Sequence, residues 1–377
     1  MKKLLIVLAV LVLAAPTMAA EWNFYGQARF GTWSVDKDYD VPGVGSDRET
    51  LWGQQSNSRI GATVKFNDEI GGAFEMSDSF GKRKLYGTYN FGVGQLLIGQ
   101  DYTPASSYFY STSTFDDDGN LLGVGQFYVG RRPMIQLTFG NLKLAFVEPN
   151  TEGMLMSGFF TPVAATPNYT FNYFDSGETT LPKIELSYGY KGEMFFVDLF
   201  GGYQTYEINN PVVGPATPIL EEDIDSYVVG IGGGVTVGPV WFNAGFHMGE
   251  NLGSYGMYNP MFFDDPNLFN TGYGINPVTG KIEDQEGMGY IAVLGFQAND
   301  MLKFELGYGR QETEIDNMIA QGVTYEADLT QYYLNATINI TKGFFMVPEI
   351  GMIENSVDGY APEPELFYLG AKWQINF

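Results

Sequence analysis

The stretch Ser58-Arg59-Ile60-Gly61-Ala62-Thr63-Val64-Lys65-Phe66 indicates the fold class. Every second residue from Ile60 to Phe66 is apolar, and the residues between them are polar or glycine. Successive side chains of a β-strand point to opposite faces, so this pattern predicts a strand with one apolar and one polar face. The same two-residue period returns in 301–310 and 333–340.

About sixteen such segments follow one another along the chain, separated by glycine, asparagine, aspartate or proline, the residues of tight turns. Short connections, such as 67–69 and 140–141, alternate with long ones, such as 103–129 and 251–285. This alternation is typical of an antiparallel transmembrane barrel with short periplasmic turns and long extracellular loops. The predicted strands are approximately 22–34, 57–66, 70–77, 82–91, 94–102, 130–139, 142–148, 182–190, 193–207, 224–237, 240–250, 286–298, 301–314, 326–340, 344–355 and 363–377.

The apolar face of these strands would meet either lipid or the core of a soluble sandwich. After the first twenty residues, no stretch stays apolar over the roughly 20 residues that a membrane-spanning helix requires. The chain has no cysteine, so disulfides do not stabilise it, and its aromatic residues are plentiful and periodic. We therefore expect an all-β transmembrane antiparallel β-barrel over residues 21–377, with a soluble periplasmic sandwich as the alternative.

Residues 1–20 have the pattern of a secretory signal peptide. Lys2 and Lys3 give a positive start, residues 4–15 are apolar, and Ala19 and Ala20 supply small residues for cleavage. A membrane anchor is the alternative, although the apolar run is much shorter than a spanning helix. Export through the inner membrane and insertion in the bacterial outer membrane follow from this interpretation.

The formal net charge of -24 argues against nucleic acid as a partner, because phosphates require a basic surface. The same acidity predicts a preference for cations in any pore that the chain forms. The single histidine, His247, lies on a polar strand face, and there is no Gly-x-Ser-x-Gly motif or histidine–cysteine cluster. We therefore expect no catalytic site, no metal site and no cofactor.

Two segments resemble the general porins of Gram-negative bacteria. Residues 366–377 form an alternating aromatic strand that ends on Phe377, and residues 84–104 resemble the segment that leads into the third porin loop. The resemblance implies a sixteen-stranded homotrimer with water-filled channels for passive diffusion of small hydrophilic solutes. It also implies contact with outer-membrane lipid and lipopolysaccharide, and recognition of Phe377 by the barrel-assembly machinery. Where the family has Gly-Arg-Gln this chain has Gly99-Gln100-Asp101, so one expected arginine is absent.

By the same resemblance, the loop 103–129 would fold into the barrel and narrow the pore. Its acidic residues are Asp116, Asp117 and Asp118. The basic residues that alternation places on the facing wall are Arg29, Arg59, Lys82, Lys84 and Arg132. An acidic loop opposite a basic wall would produce an electric field across the pore, and this field would favour polar solutes. A solvated loop tip and a weak calcium site are alternatives for the aspartates. A substrate-specific channel and a structural or adhesive barrel are the alternative functions.

Overall fold

The computed structural model describes residues 20–39, 46–106, 108–115, 123–151, 153–159, 168–174, 177–209, 212–213, 217–218, 221–257, 271–275, 282–316, 324–357 and 363–377. Residues 1–19 of the predicted signal peptide lie outside these ranges. Within them, one helix occurs, α1 (Leu252–Tyr255). No helix of the described chain is long and apolar enough to cross a membrane.

Sixteen of the described strands form one closed antiparallel barrel, which confirms the predicted fold class and strand count. The strands are β1 (Glu21–Asp38), β2 (Arg59–Lys65), β3 (Ile70–Ser77), β4 (Lys82–Asn90), β5 (Gln95–Tyr102), β6 (Arg131–Phe139), β7 (Leu142–Val147), β8 (Lys183–Lys191), β9 (Phe195–Asn209), β10 (Glu221–Val237), β11 (Val240–Glu250), β12 (Ile282–Gln297), β13 (Leu302–Ile315), β14 (Tyr325–Thr341), β15 (Phe344–Val357) and β16 (Glu365–Asn376). Each pairs with its neighbours in sequence, as expected of a chain of hairpins.

The barrel closes between its first and last strands. β1 pairs with β16 along Gln27–Asp38 and with β2 along Glu21–Gln27. At the end of this seam, the backbone N–H of Gly26 donates to the carbonyl of Phe377 at 2.7 Å, and the N–H of Phe377 donates to Gly26 at 3.0 Å. Closure leaves no barrel strand with an unpaired edge, which a spanning sheet requires in lipid.

The barrel is polar inside and apolar outside. Glu305 is 2 % exposed, whereas the next residue, Leu306, is 56 % exposed. The same inversion separates Glu349 from Ile350 and Lys183 from Ile184. A water-soluble sandwich would bury the aliphatic side chains instead, so these exposures indicate a lipid-facing outer surface.

The wall differs in height around its circumference. Strands β2 to β8 contain six to nine residues, whereas β9 to β16 contain eleven to seventeen. Connections at one end are short, such as 140–141 and 238–239, and most connections at the other end are long. The shorter strands outside the barrel order are Asp47–Gln54, which pairs with β1, and Gly153–Phe159, Asn168–Phe174, Gly177–Glu178, Val212–Val213, Thr217–Pro218 and Thr271–Ile275.

Candidate functional site

The segment 103–130, here called the inner loop, connects β5 to β6. Of its residues, 107 and 116–122 lie outside the described chain. Residues 105–115 contact inward-facing side chains of β8 and of the longer strands β9 to β16, here called the tall wall. The backbone N–H of Ala105 donates to Glu185 of β8 at 2.8 Å, and the ring of Phe115 stacks on Tyr368 of β16 at 3.8 Å between centroids. Between these points, the described part of the inner loop runs along half of the barrel interior.

Two buried glutamates anchor the middle of the inner loop. Glu305 of β13 accepts the N–H of Thr112 at 2.6 Å. Glu349 of β15 accepts the hydroxyl of Ser113 and the N–H of Thr114, each at 2.7 Å. Hydrogen bonds to a charged acceptor stabilise by about 1.5–3 kcal/mol each, so these two carboxylates hold the loop firmly against the wall.

Glycines on the inner faces of two strands leave room for one loop side chain. Tyr110 stacks parallel to Phe196, with centroids 6.2 Å apart, and its carbonyl accepts a hydrogen bond from Asn243 at 3.1 Å. A Cβ atom on Gly232 or Gly245 would overlap the Tyr110 ring. Burial raises the pKa of the Tyr110 phenol above its ordinary range, so this side chain stays neutral.

Across the lumen, strands β1 to β4 carry a group of arginines, here called the arginine cluster (Arg29, Arg59 and Arg83). Glu75 of β3 lies between two of them, with its Oε1 2.7 Å from Arg83 Nε and 3.5 Å from Arg59 Nη1. Tyr25 donates its hydroxyl to the same carboxylate at 2.9 Å. Arg29 donates to Gln27, the residue that pairs with Arg59 across β1 and β2. Three guanidinium groups and one carboxylate leave two net positive charges.

A β-bulge between Glu75 and Met76 decides which basic residues of β4 join this wall. Glu75 pairs with Lys84 and Met76 pairs with Lys82, so Arg83 is the additional residue. A bulge places two successive residues opposite one partner, and Arg83 and Lys84 therefore both lie opposite Glu75. Strict alternation had assigned Lys82 and Lys84 to the inner face and omitted Arg83.

The predicted basic residues thus have different positions. Arg29 and Arg59 belong to the arginine cluster, and Lys84 forms an ion pair with Asp101 at 2.9 Å on the same wall. Arg132 faces inward but donates to Asn150 at 2.7 Å, away from the cluster. Lys82 is exposed and pairs with Met76, outside the cluster. The acidic residues Asp116, Asp117 and Asp118 lie outside the described residues.

The return part of the inner loop approaches the basic wall through aromatic contacts. Tyr128 lies edge-on to Tyr102, with centroids 6.2 Å apart. The Tyr102 ring in turn lies 4.8 Å from Lys84 Nζ and 5.1 Å from the guanidinium carbon of Arg131. Burial raises the pKa of Tyr128 to about 12, so its phenol does not neutralise the neighbouring cations.

Two aromatic residues near strand ends, Tyr25 and Tyr368, do not lie on the lipid-facing surface. Both instead face inward, where Tyr25 binds Glu75 and Tyr368 donates to Glu349 at 2.9 Å. Within the described chain, no group of three or more acidic, histidine or cysteine residues is placed to hold a metal ion.

The fold is shared with known outer-membrane proteins. The outer membrane channel DcaP of Acinetobacter baumannii superimposes with a TM-score of 0.64 and 16% identity, over 96% of this chain and 98% of that one. OmpT of Vibrio cholerae, in its trimer form, superimposes with a TM-score of 0.54 and 15% identity, over 95% of this chain and 100% of that one. An anion-selective porin from Comamonas acidovorans superimposes with a TM-score of 0.54 and 12% identity, over 95% of this chain and 100% of that one. No curated protein sequence gives a significant match.

The family profile of Gram-negative porins matches residues 7–358, nearly the whole sequence. The matched region includes most of the barrel, the inner loop and the arginine cluster. Together with the closed sixteen-stranded barrel, this match shows that the chain belongs to the Gram-negative porin family and is an outer-membrane channel for passive diffusion.

Proposed function

We propose that small hydrophilic solutes and ions diffuse through a passage bounded by the inner loop on one side and the arginine cluster on the other. The observation that carries this proposal is the position of the two groups: Glu305 and Glu349 hold the loop against the tall wall, and the cluster occupies β1 to β4. A narrow passage lined by fixed charges orders water and disfavours apolar solutes.

Conductance of the purified protein in planar bilayers tests this proposal. A general diffusion pore has a conductance that rises with KCl concentration without saturation, and neutral sugars enter liposomes more slowly as their size increases. Block by one sugar or peptide at low concentration would instead indicate a substrate-specific channel. Absence of any conductance would indicate a structural or adhesive barrel.

The preference of the channel for cations stays a prediction from the net charge. Many acidic residues of the described barrel lie on its outer face, as in the register-aligned row Glu250, Glu286, Glu314 and Glu326. The arginine cluster faces the lumen and attracts anions. Acidic charge from Asp116, Asp117 and Asp118 facing the passage would favour cations, and reversal potentials in a KCl gradient measure the outcome.

We further propose that the chain assembles as a homotrimer through the wall formed by its shorter strands, β2 to β8, here called the short wall. A tilted strand needs about 9–11 residues to cross the bilayer, and β2, β3, β5 and β7 contain seven, eight, eight and six. Because these strands are shorter than the bilayer requires, contact with other copies would cover the short wall in place of lipid. Light scattering of the protein–detergent complex should give three copies, and a monomer would contradict the proposal.

Export and insertion complete the proposed function. Residues 1–20 would be removed as a signal peptide, and the barrel-assembly machinery would recognise the terminal strand ending in Phe377. Lipid and lipopolysaccharide would contact the apolar outer face. The amino-terminal sequence of the protein from outer membranes tests cleavage, and deletion of Phe377 should lower the amount of assembled barrel.

A further inference from the structure

A second connection also enters the barrel. Residues 251–257, here called the second inner segment, follow β11 and contain α1. Leu252 and Tyr255 are 3% and 0% exposed, although they belong to a connection at the end of the barrel where loops are long. They pack with Phe127 and Val129 of the inner loop and with Phe200 of β9 in one apolar cluster.

The wall of the barrel holds this segment by its backbone. Lys183 of β8 is fully buried and donates from Nζ to the carbonyl of Tyr255 at 2.8 Å, with the ring of Tyr255 4.2 Å from the same nitrogen. Gln204 of β9 donates to the carbonyl of Ser254 at 2.7 Å. A Cβ atom on Gly202 of β9 would overlap the Tyr255 hydroxyl, so the wall is shaped to admit that side chain.

One carboxylate joins this segment to the inner loop. Glu185 accepts the hydroxyl of Tyr255 on Oε1 at 3.0 Å and the N–H of Ala105 on Oε2 at 2.8 Å. Lys183 Nζ lies 3.8 Å from Oε1 and balances the charge of Glu185. A buried charge that loses its partner is strongly destabilising, so displacement of either segment weakens the support of the other.

We propose that residues 251–257 form a second pore-narrowing element, and that Lys183 and Glu185 are positioning residues that hold both inner segments in place. The inference rests on the proposed diffusion channel and deepens it. The part of the lumen beside β8 to β12 is filled by protein, and the passage for solutes is confined to the side of the arginine cluster.

A cysteine reporter tests the packing directly, because the chain contains no cysteine of its own. Ser254 is fully buried, and Val93, in a turn, is 82% exposed. Ser254→Cys should react with a charged methanethiosulfonate reagent at least about tenfold more slowly than Val93→Cys, as expected for a site protected by buried contacts. Adding Lys183→Met should accelerate the reaction at position 254 on the order of tenfold, since it removes a charged hydrogen-bond donor.

Lys143→Met is the matched control, because Lys143 of β7 is exposed and pairs across the sheet with Ser187 and Thr138. It should leave both the labelling rate and the conductance unchanged, whereas Lys183→Met should raise the conductance and its noise. Equal labelling of Ser254→Cys and Val93→Cys, or equal effects of the two lysine changes, would overturn the inference. Should Lys183→Met fail to fold, Tyr255→Phe removes only the bond to Glu185 and should accelerate labelling in the same direction. A protein that conducts no ions in any variant refutes the diffusion channel, while the labelling rates still decide whether the segment is packed inside.

Discussion

Glu75 and Arg59 belong to the same charge group but have opposite signs, so their replacement should change ion selectivity in opposite directions. Glu75→Gln removes the carboxylate between Arg59 and Arg83 and raises the net charge of the group from two to three. Arg59→Gln lowers it to one. Both replacements keep a planar side chain that can form hydrogen bonds, so the backbone of the wall should keep its position.

The magnitude follows from Coulomb's law. An ion that passes about 8 Å from one altered unit charge in water changes its energy by about 0.5 kcal/mol. The anion and the cation respond with opposite signs, so the ratio of their permeabilities changes about fivefold without screening. At 0.1 M salt the screening length is about 10 Å, which roughly halves each energy and leaves a change of about twofold.

Reversal potentials in a KCl gradient around 0.1 M measure this ratio. Glu75→Gln should shift selectivity toward chloride and Arg59→Gln toward potassium, whichever ion the unchanged channel prefers. Near 1 M salt the screening length falls to about 3 Å, and both shifts should disappear.

Lys82→Gln provides the matched control, because it removes one positive charge at a residue that pairs with Met76 outside the arginine cluster. Its effect should be much smaller than that of Arg59→Gln. Shifts of the same sign for Glu75→Gln and Arg59→Gln, or an effect of Lys82→Gln as large as that of Arg59→Gln, would refute the placement of the passage beside the cluster.

Three further predictions concern the inner loop and its supports. Glu349→Ala removes the hydrogen bonds that the carboxylate accepts from Ser113 and Thr114 of the inner loop, worth about 1.5–3 kcal/mol each, together with those from Asn335 and Tyr368 of the wall. Single-channel recordings should therefore show more current noise than for Glu349→Gln. Gly232→Ala forces a methyl group against Tyr110 and should lower the free energy of unfolding by about 1–3 kcal/mol, whereas Gly87→Ala, whose nearest neighbour is 3.8 Å away, should have little effect in denaturant titration. Burial raises the pKa of the Tyr128 phenol from 10.0 to about 12, so the unfolded chain loses the phenol proton at a lower pH than the folded protein does. The contribution of neutral Tyr128 to stability is therefore complete below pH 10.0 and is lost as the pH rises toward about 12. Tyr128→Phe should make the thermal unfolding temperature fall less over this pH range.

Much of the barrel could be predicted from the sequence, because a strand with one apolar face carries its pattern within a few consecutive residues. All sixteen predicted segments overlap strands of the structure. Arg29 and Arg59 could be assigned to the inner wall by the same alternation. Arg83 could not, because a bulge is a property of two paired strands and leaves no mark in the alternation of either one.

The supports of the inner segments were also beyond the sequence. Glu185, Glu305 and Glu349 look like ordinary polar-face residues, and only their hydrogen bonds to loop residues far away in sequence distinguish them. Gly202 and Gly232 could be noticed as glycines inside strands, which often marks a close approach of another group. The identity of that group, Tyr255 or Tyr110, follows only from the folded chain.

By itself, the sequence of this protein determined a barrel of alternating strands, because the two-residue period of an extended chain acts locally and needs no knowledge of the partner strand. The tertiary structure alone decided which charges share the lumen and which loops fill it. Those features depend on strand register and on contacts between residues that can lie more than two hundred positions apart in the sequence. The sequence around either residue gives no sign of such a contact.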